Sequence, residues 1–183
     1  ASIFKVIPAF VAVPKDVDDL KTLVHNVGQM RITGQNVSLT ARAAGTCMSG
    51  GSLTESVSVD MKPGFSWIGE LDKSEKSLWV GAGTFYSDVE QFLNPNKLMF
   101  APYTSSKDLC TIGGMVGNNA SGEKSIRYGA TIDNVMAVRM VCADGNEYEF
   151  GSIGADAFAE KAALKTFEGY IYREIDKLIE TNW

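Results

Sequence analysis

Glycine is concentrated in two short stretches of this 183-residue chain, and the first indicates binding of an anion by main-chain atoms. The first glycine segment, residues 41–53, reads ARAAGTCMSGGSL and has no charged side chain after Arg42. Glycine reaches φ > 0 and lets a ligand approach the backbone closely. Such a segment can point several N–H groups at one spot, a geometry that holds phosphate without lysine. A flexible turn between two strands explains the same residues equally well.

The second glycine segment, residues 101–129, reads APYTSSKDLCTIGGMVGNNASGEKSIRYG. Each glycine in a regular element gives up roughly 0.5–1 kcal/mol relative to alanine. This stretch therefore needs a compensating interaction. A flat ligand lying against the exposed main chain would supply it, and Asn118 and Asn119 offer donors and acceptors to a polar ligand edge.

Two common nucleotide-binding motifs do not fit these segments. The P-loop pattern fails because no lysine follows Gly50 or Gly51, and G-x-G-x-x-G fails on spacing. A P-loop NTPase and a Rossmann dehydrogenase are therefore disfavoured. Trp67, Trp79 and Trp183 form no stacking array, so the sequence does not support a platform for nucleic-acid bases.

Composition and charge exclude several other classes of protein. With 45% hydrophobic and 21% charged residues, the chain resembles an average globular domain. The net charge of -5 and scattered basic residues predict no binding to nucleic acid or to an anionic membrane. No long apolar run or signal peptide is evident, which predicts a cytoplasmic protein that meets a membrane only through other regions or subunits. Three widely spaced cysteines predict reduced thiols and no metal site.

The elements that must position the glycine segments follow an α+β order without regular βαβ alternation. Period-two and continuous apolar patterns predict strands at residues 8–14, 37–43, 55–61 and 135–143. Helical spacing predicts helices at residues 16–28, 86–93, 157–164 and 170–180. Hairpins are predicted around residues 72–76 and at Asp144-Gly145. Gly28 is expected to end the first helix, and the strand at 135–143 is expected to be covered on both faces.

Three motifs together carry a resemblance to a known family. ARAAGTCMSGGSL, TIGGMVGNNASGEKSIRYGATIDNV and VRMVCADGNEYEFG occur in the order typical of the FAD-binding domain of the vanillyl-alcohol oxidase, or PCMH-type, superfamily. The chain resembles the branch of D-lactate dehydrogenase and the glycolate oxidase FAD subunit over residues 8–151. The resemblance implies an α+β fold of two subdomains, with mixed sheets, flanking helices and FAD between them. It implies subdomains at 1–61 and 62–153, and a helical segment at 154–183 that leads to a further region.

The resemblance also implies which residues contact FAD. The first glycine segment would wrap the pyrophosphate through backbone amides, and the second would run along the ribityl chain and the isoalloxazine ring. The matching positions are Ala43, Ala44, Gly45, Thr46, Cys47, Met48, Ser49, Gly50, Gly51, Ser52, Ser105, Ser106, Thr111, Ile112, Gly113, Gly114, Gly117, Asn118, Ala120, Gly122, Tyr128 and Gly129.

Two departures from relatives shape the expectation. Some relatives attach FAD through a histidine in the first loop, but the single histidine here, His25, falls on the predicted first helix and is expected to be structural. FAD is therefore expected to be noncovalent. Relatives also continue into a substrate domain that supplies the catalytic groups, so the chain is expected to be an N-terminal module truncated before that domain. Its catalytic residues stay unassigned, and it is expected to hold FAD weakly or to lack it.

In the whole enzyme, the resemblance implies oxidation of a small 2-hydroxy acid such as D-lactate or glycolate by an FAD-dependent dehydrogenase or oxidase. The flavin would take a hydride and pass its electrons to an unidentified acceptor. One alternative is a flavin subunit or reductase of the same superfamily with another substrate. Another is a noncatalytic scaffold that kept the fold.

Four further side chains keep open alternatives. Cys47 is expected to be a packing residue, because no basic neighbour in sequence would lower the pKa of its thiol. Arg42 and Arg127 either face a phosphate or pair with surface carboxylates. Tyr103 either packs on the flavin or closes the turn at Pro102.

Overall fold

The structure of the chain, a computed structural model, describes residues 4–102 and 104–182. Tyr103 and Trp183 lie outside the described residues, and so do the predictions made for them. The helices and strands follow one another as β1 (Phe10–Ala12), α1 (Val17–Ile32), β2 (Leu39–Arg42), β3 (Val57–Asp60), α2 (Tyr86–Leu93), α3 (Ile112–Gly117), α4 (Ser125–Tyr128), β4 (Ala137–Val141), β5 (Glu147–Gly151), α5 (Ala155–Ala163) and α6 (Phe167–Asn182).

The first three strands form one parallel sheet in the order β1-β3-β2. The central strand β3 is covered on both faces, so Ser58 is buried together with its neighbours Val57 and Val59. Parallel neighbours need a crossover of about a dozen residues or more, because the chain must return to the other end of the sheet. Residues 43–56 supply that crossover between β2 and β3 without a helix or strand. The sheet topology therefore requires a long irregular segment where the sequence places its first glycine cluster.

Helix α1 begins where the sequence predicts but ends later. The Asp16 carboxylate accepts a hydrogen bond from the Asp19 N–H at 2.9 Å, which caps the helix. The prediction that the helix stops at Gly28 is wrong, since α1 continues to Ile32. The stop lies instead just before Gly34, whose φ of +87° is one that glycine adopts without strain.

A small core joins α2 to the second glycine segment. Helix α2 covers the residues predicted for it and is followed by a 3-10 turn at Asn94–Asn96. The side chains packed in this core are Tyr86, Phe100, Cys110, Ile112, Met115 and Ala120. The Tyr86 hydroxyl donates to the Phe100 carbonyl at 2.7 Å. Before α2, the predicted hairpin is present as isolated antiparallel bridges, Ile68 with Val80 and Asp72 with Ser77, rather than as a continuous ladder.

Strands β4 and β5 form the predicted hairpin, with Gly145 at a φ of +83° in its turn. The prediction that the first of these strands is covered on both faces is wrong. Among the described residues β4 pairs with β5 alone, and Met136 and Met140 beside and within it are 64% and 47% exposed. A continuous apolar run does not by itself distinguish a buried strand from a strand with one open face.

Helices α5 and α6 form a helical hairpin close to the predicted positions. Lys161 and Glu168 form an ion pair across the hairpin, and the Phe158 and Tyr172 rings meet edge to face at 5.3 Å. Beyond Tyr172, α6 leaves Ile175, Leu178 and Ile179 largely exposed. Within the described ranges, every helix is too short or too polar to cross a membrane.

Candidate functional site

The first glycine segment leaves β2 and turns twice before it enters the crossover. Gly45 and Gly50 have φ values of +71° and +76°, in the left-handed region that favours glycine. The Gly50 N–H donates to the Cys47 carbonyl at 3.3 Å, and the Leu53 N–H donates to the Gly50 carbonyl at 2.9 Å. The two turns leave Met48 96% exposed at the tip of the segment.

The thiol of Cys47 lies among the polar groups of this tip. The Ser49 hydroxyl lies 3.0 Å from Sγ. This hydroxyl, together with the N–H groups of Gly51, Ser49 and Gly50, lowers the pKa of the Cys47 thiol from its ordinary value. The sequence offers no basic neighbour to lower this pKa, but main-chain dipoles do so without one. Several N–H groups aimed at one point form the concavity that binds an anion.

The fold brings the two glycine segments into contact. Cys47 Sγ donates to Asn118 Oδ1 at 3.9 Å. A Cβ placed on Gly114 would lie 3.4 Å from the Cβ of Ala43, at the start of the first segment. The sequence predicted that both segments serve one ligand, and the structure makes them neighbours.

Part of the second glycine segment is helical, although its glycine content argues against a stable element. Helix α3 is anchored by Met115, which is 1% exposed, and by the Gly113 N–H, which donates to the Ala82 carbonyl at 2.9 Å. Short helices are held by tertiary packing more than by propensity, which explains why composition misleads here. Gly117 and Asn118, at the end of α3, are exposed, and no atom would lie within 4 Å of a Cβ on Gly117. Open main chain therefore lies at the helix end that contacts Cys47.

The rest of the second glycine segment, after α3, makes hydrogen bonds and contacts within local turns. Asn119, which the sequence offered to a ligand edge, accepts a hydrogen bond from the Ile132 N–H through Oδ1 at 3.0 Å. The Gly122 N–H donates to Ser125 Oγ at 3.0 Å. Gly129 has a φ of +80° and lies against Asp133. Asn118 is thus the better placed of the two asparagines to meet a ligand.

Ser105 and Ser106 lie in a turn that leads into the core. The Thr104 and Ser106 hydroxyls are 2.8 Å apart, and the Leu109 and Cys110 N–H groups both donate to the Ser106 carbonyl at 2.8 Å. Ser105 is exposed, whereas Ser106 is partly buried. The Ser106 side chain therefore has a structural partner within the turn.

Two of the predicted FAD-contacting side chains are buried. Ala120 is 6% exposed, and Thr111 is 0% exposed. Among the described residues Thr111 Oγ1 has no hydrogen-bond partner, and it would lie 3.6 Å from a Cβ on Gly114. A buried hydroxyl without a partner costs about 1–3 kcal/mol.

Replacing Thr111 by valine should raise the free energy of unfolding by about 1 kcal/mol, because the substitution removes an unpaired hydroxyl and keeps the shape. Urea unfolding of the purified protein measures this. Thr131→Val is the matched control, since Thr131 is 1% exposed and its hydroxyl donates to the Ala120 carbonyl at 2.6 Å. The control should lose about 1 kcal/mol. Equal losses in both variants would contradict the unpaired state of Thr111.

Sequence reasoning missed a third run of small residues that shapes the site. Gly81, Ala82 and Gly83 end the first hairpin, and Ala82 lies directly under α3. The Gly-Ala-Gly pattern just before α2 was a usable signal of close backbone approach. Of the two arginines left open, Arg127 lies over the Tyr128 ring at 5.3 Å, and Arg42 contacts Ser52 near the far end of the first glycine segment.

The described part of the chain contains no group of His, Cys, Asp and Glu side chains that could hold a metal ion. The single histidine, His25, lies on α1 beside the turn of the β4–β5 hairpin, where a Cβ on Gly145 would be 3.3 Å from its Cβ. The structural role of His25 stays a prediction.

Comparisons with known proteins identify the family. Residues 8–151 match the family model described as an FAD binding domain. The chain is 33% identical to D-2-hydroxyglutarate dehydrogenase of Pseudomonas putida over 180 residues, covering 98% of this chain and 18% of that protein. It is 28% identical to the glycolate oxidase subunit GlcD of Escherichia coli over 157 residues, covering 85% of this chain and 30% of that protein.

A solved structure shows the same fold. A variant of BBE-like 1 from Physcomitrella patens superposes with a TM-score of 0.68 at 21% identity, over 88% of this chain and 34% of that one. The predicted α+β fold is thereby confirmed, and the match to the family model confirms the family resemblance carried by the three sequence motifs. The match of residues 8–151 covers most of the chain, which therefore belongs to the FAD binding domain family of flavoproteins.

Proposed function

We propose that this chain binds FAD noncovalently, with its diphosphate on the first glycine segment and its ring system along the second. The observation that carries this proposal is the contact between the two glycine segments, where Cys47 Sγ lies 3.9 Å from Asn118 Oδ1 at an exposed loop tip whose N–H groups lower the pKa of the Cys47 thiol. Such a tip accepts negative charge through main-chain dipoles. The exposed backbone of Gly117 and Asn118 then offers a surface on which a flat ring can lie.

The roles of the individual residues follow from their exposure. Residues 43–52 would surround the diphosphate, and the exposed members of the second segment would touch the rest of the cofactor directly. Thr111 and Ala120, which are buried, would contribute through the main chain and by holding α3 in place. The position of His25 on α1, beside the β4–β5 turn, supports noncovalent binding of FAD.

We further propose that the whole protein is an oxidoreductase that acts on a small 2-hydroxy acid. The names of the two relatives support this, since one is a D-2-hydroxyglutarate dehydrogenase and the other a glycolate oxidase subunit. The chain spans 18% and 30% of the length of these relatives. Bound FAD supplies hydride acceptance, while protein groups bind and orient the substrate.

The division of the chain into two FAD-binding subdomains also remains a proposal. The parallel sheet lies entirely within residues 1–61, and the β4–β5 hairpin lies within 62–153. Helices α5 (Ala155–Ala163) and α6 (Phe167–Asn182) follow both of these subdomains in the chain. The first glycine segment contacts the second across the boundary at residue 61, which is the arrangement a cofactor between two subdomains requires.

The test uses the protein expressed from its complete reading frame. It should purify with flavin absorbance, and acid precipitation should release the flavin into the supernatant. Anaerobic addition of D-2-hydroxyglutarate, D-lactate or glycolate should bleach that absorbance. FAD should also slow alkylation of Cys47 by iodoacetamide, because the cofactor would cover the loop tip.

Other outcomes separate the alternatives. A colourless protein that FAD does not reconstitute would support the noncatalytic scaffold. A flavin that is reduced by none of the three acids but by another class of compound would support a relative with a different substrate. Alkylation of Cys47 at the same rate with and without bound FAD would place the diphosphate away from the first glycine segment.

A further inference from the structure

Arg42 is the last residue of β2 and lies at the base of the first glycine segment. Its Nη1 donates to Ser52 Oγ at 3.3 Å. A Cβ on Gly45 would lie 2.5 Å from Nη2 and 2.7 Å from Cζ of the same guanidinium. The guanidinium therefore lies between two parts of the segment: the early limb, at Gly45, is on one side and the late limb, at Ser52, is on the other.

The charge of Arg42 is not used in an ion pair. Its register partner on β3 is Asp60, but the Asp60 carboxylate pairs with Lys62 at 3.7 Å. Within the residues that the structure describes, no carboxylate lies within 4.0 Å of the Arg42 guanidinium, and Ser52 is its hydrogen-bond partner. The sequence left open a surface ion pair for Arg42, and the described residues therefore contain none.

Arg42 also borders open space. A cavity of about 250 Å³ lies between the N-terminal strand region and the late limb of the segment. Its polar lining consists of Arg42, Ser52, Thr54, Ser58 and Asp60. Because Arg42 has open space on one side, its contacts with Gly45 and Ser52 define the position of the guanidinium.

We propose that Arg42 is a positioning residue for the diphosphate of FAD, an inference that rests on the proposed function. Its planar guanidinium reaches Ser52 with one nitrogen while another lies against Gly45, which a single ammonium group cannot reproduce. By fixing both limbs, Arg42 holds the tip between Gly45 and Ser52 in the conformation that would receive the diphosphate. Gly45 is then required twice, for its φ of +71° and for the space that the guanidinium fills.

The experiment measures FAD affinity of the apoprotein made from the complete reading frame, by fluorescence titration. Arg42→Gln should weaken FAD binding by roughly tenfold or more, since it removes a hydrogen bond from a charged group that holds the segment. Ser52→Ala should weaken it in the same direction. The double variant should bind no more weakly than Arg42→Gln alone, because both substitutions remove the same bond.

Two further variants separate positioning from charge. Arg42→Lys keeps the charge but loses the fork, and it should fail to restore affinity. Arg31→Gln removes an exposed positive charge in the last turn of α1 and should leave FAD affinity within about twofold of wild type. At saturating FAD, the Arg42 variants should regain the wild-type kcat while their half-saturating FAD concentration stays raised.

Each contrary result overturns the inference. Restoration of affinity by Arg42→Lys would reduce the role of Arg42 to charge, and additive losses in the double variant would exclude the shared contact with Ser52. Unchanged affinity in both Arg42→Gln and Ser52→Ala, with wild type binding FAD, would refute the positioning role and leave the proposed function intact. A wild-type protein that binds no FAD would refute the proposed function and this inference with it. If Arg42→Gln does not fold, the Ser52→Ala result decides.

Discussion

A valine at position 50 should leave the protein folded but unable to retain FAD. Gly50 has a φ of +76°, a conformation that β-branched residues avoid, and its Cβ would lie 3.2 Å from Leu53 Cδ1. The loop tip would therefore adopt another backbone conformation, and its main-chain N–H groups would no longer be placed to meet the diphosphate. Strain of this kind costs about 1–3 kcal/mol, so we expect FAD affinity to fall roughly 100-fold. Flavin content and the far-UV circular dichroism spectrum measure the two effects.

Gly34→Val provides the matched control for backbone strain. Gly34 has a φ of +87° and follows α1, and no atom would lie within 4 Å of a Cβ placed on it. This variant should lose about 1–3 kcal/mol of unfolding free energy and retain its flavin. Equal loss of flavin from both variants would attribute the effect to general destabilisation. Normal flavin content in Gly50→Val would show that the first glycine segment does not hold the diphosphate.

A methyl group at position 113 should destabilise the whole protein. A Cβ on Gly113 would lie 2.7 Å from the Cβ and 2.8 Å from the carbonyl oxygen of Ala82. The Gly113 N–H already donates to that carbonyl at 2.9 Å, so α3 cannot move away without breaking the bond. We expect Gly113→Ala to lower the free energy of unfolding by about 2–3 kcal/mol, as overpacking does, and to release FAD as α3 shifts.

Gly117→Ala tests the same helix without the clash, because nothing lies within 4 Å of its Cβ position. Its unfolding free energy should stay within about 0.5 kcal/mol of wild type, or rise, since alanine favours helix over glycine. Its FAD affinity should nevertheless fall, because the new methyl group stands on the exposed main chain beside Asn118. Urea unfolding and FAD titration together check the pair. Equal stability of the two variants would contradict the close packing of Gly113 on Ala82.

Local signals in the sequence were sufficient for several elements. Helix α2 was predicted over its observed residues because apolar side chains recur at helical spacing up to Asn94-Pro95. The β4–β5 hairpin followed from Asp144-Gly145, and Gly145 indeed has a positive φ. The sequence could also predict that the first glycine segment offers main-chain atoms to a ligand, because that property depends on the residue types in one short stretch.

Features that depend on contacts between distant parts of the chain could not be predicted from the sequence. Helix α3 owes its existence to Met115 in the core and to the close approach of Ala82, neither of which a local pattern reveals. The sequence also treats Gly50 and Gly51 alike, although Gly50 alone of the two has a positive φ. The contact of Cys47 with Asn118 joins residues that are 71 positions apart. Contacts of this kind are set by the tertiary fold.

The parallel pairing of β2 with β3 constrains how this protein can change during evolution. Residues 43–56 must reach from the end of one strand to the beginning of its neighbour, so a deletion there would pull Arg42 out of register with Asp60. The polar turn at 72–76 need not span such a distance, because Asp72 and Ser77 are paired directly across it. Homologous sequences should therefore vary in length at the turn, whereas the crossover should exchange one residue type for another at constant length.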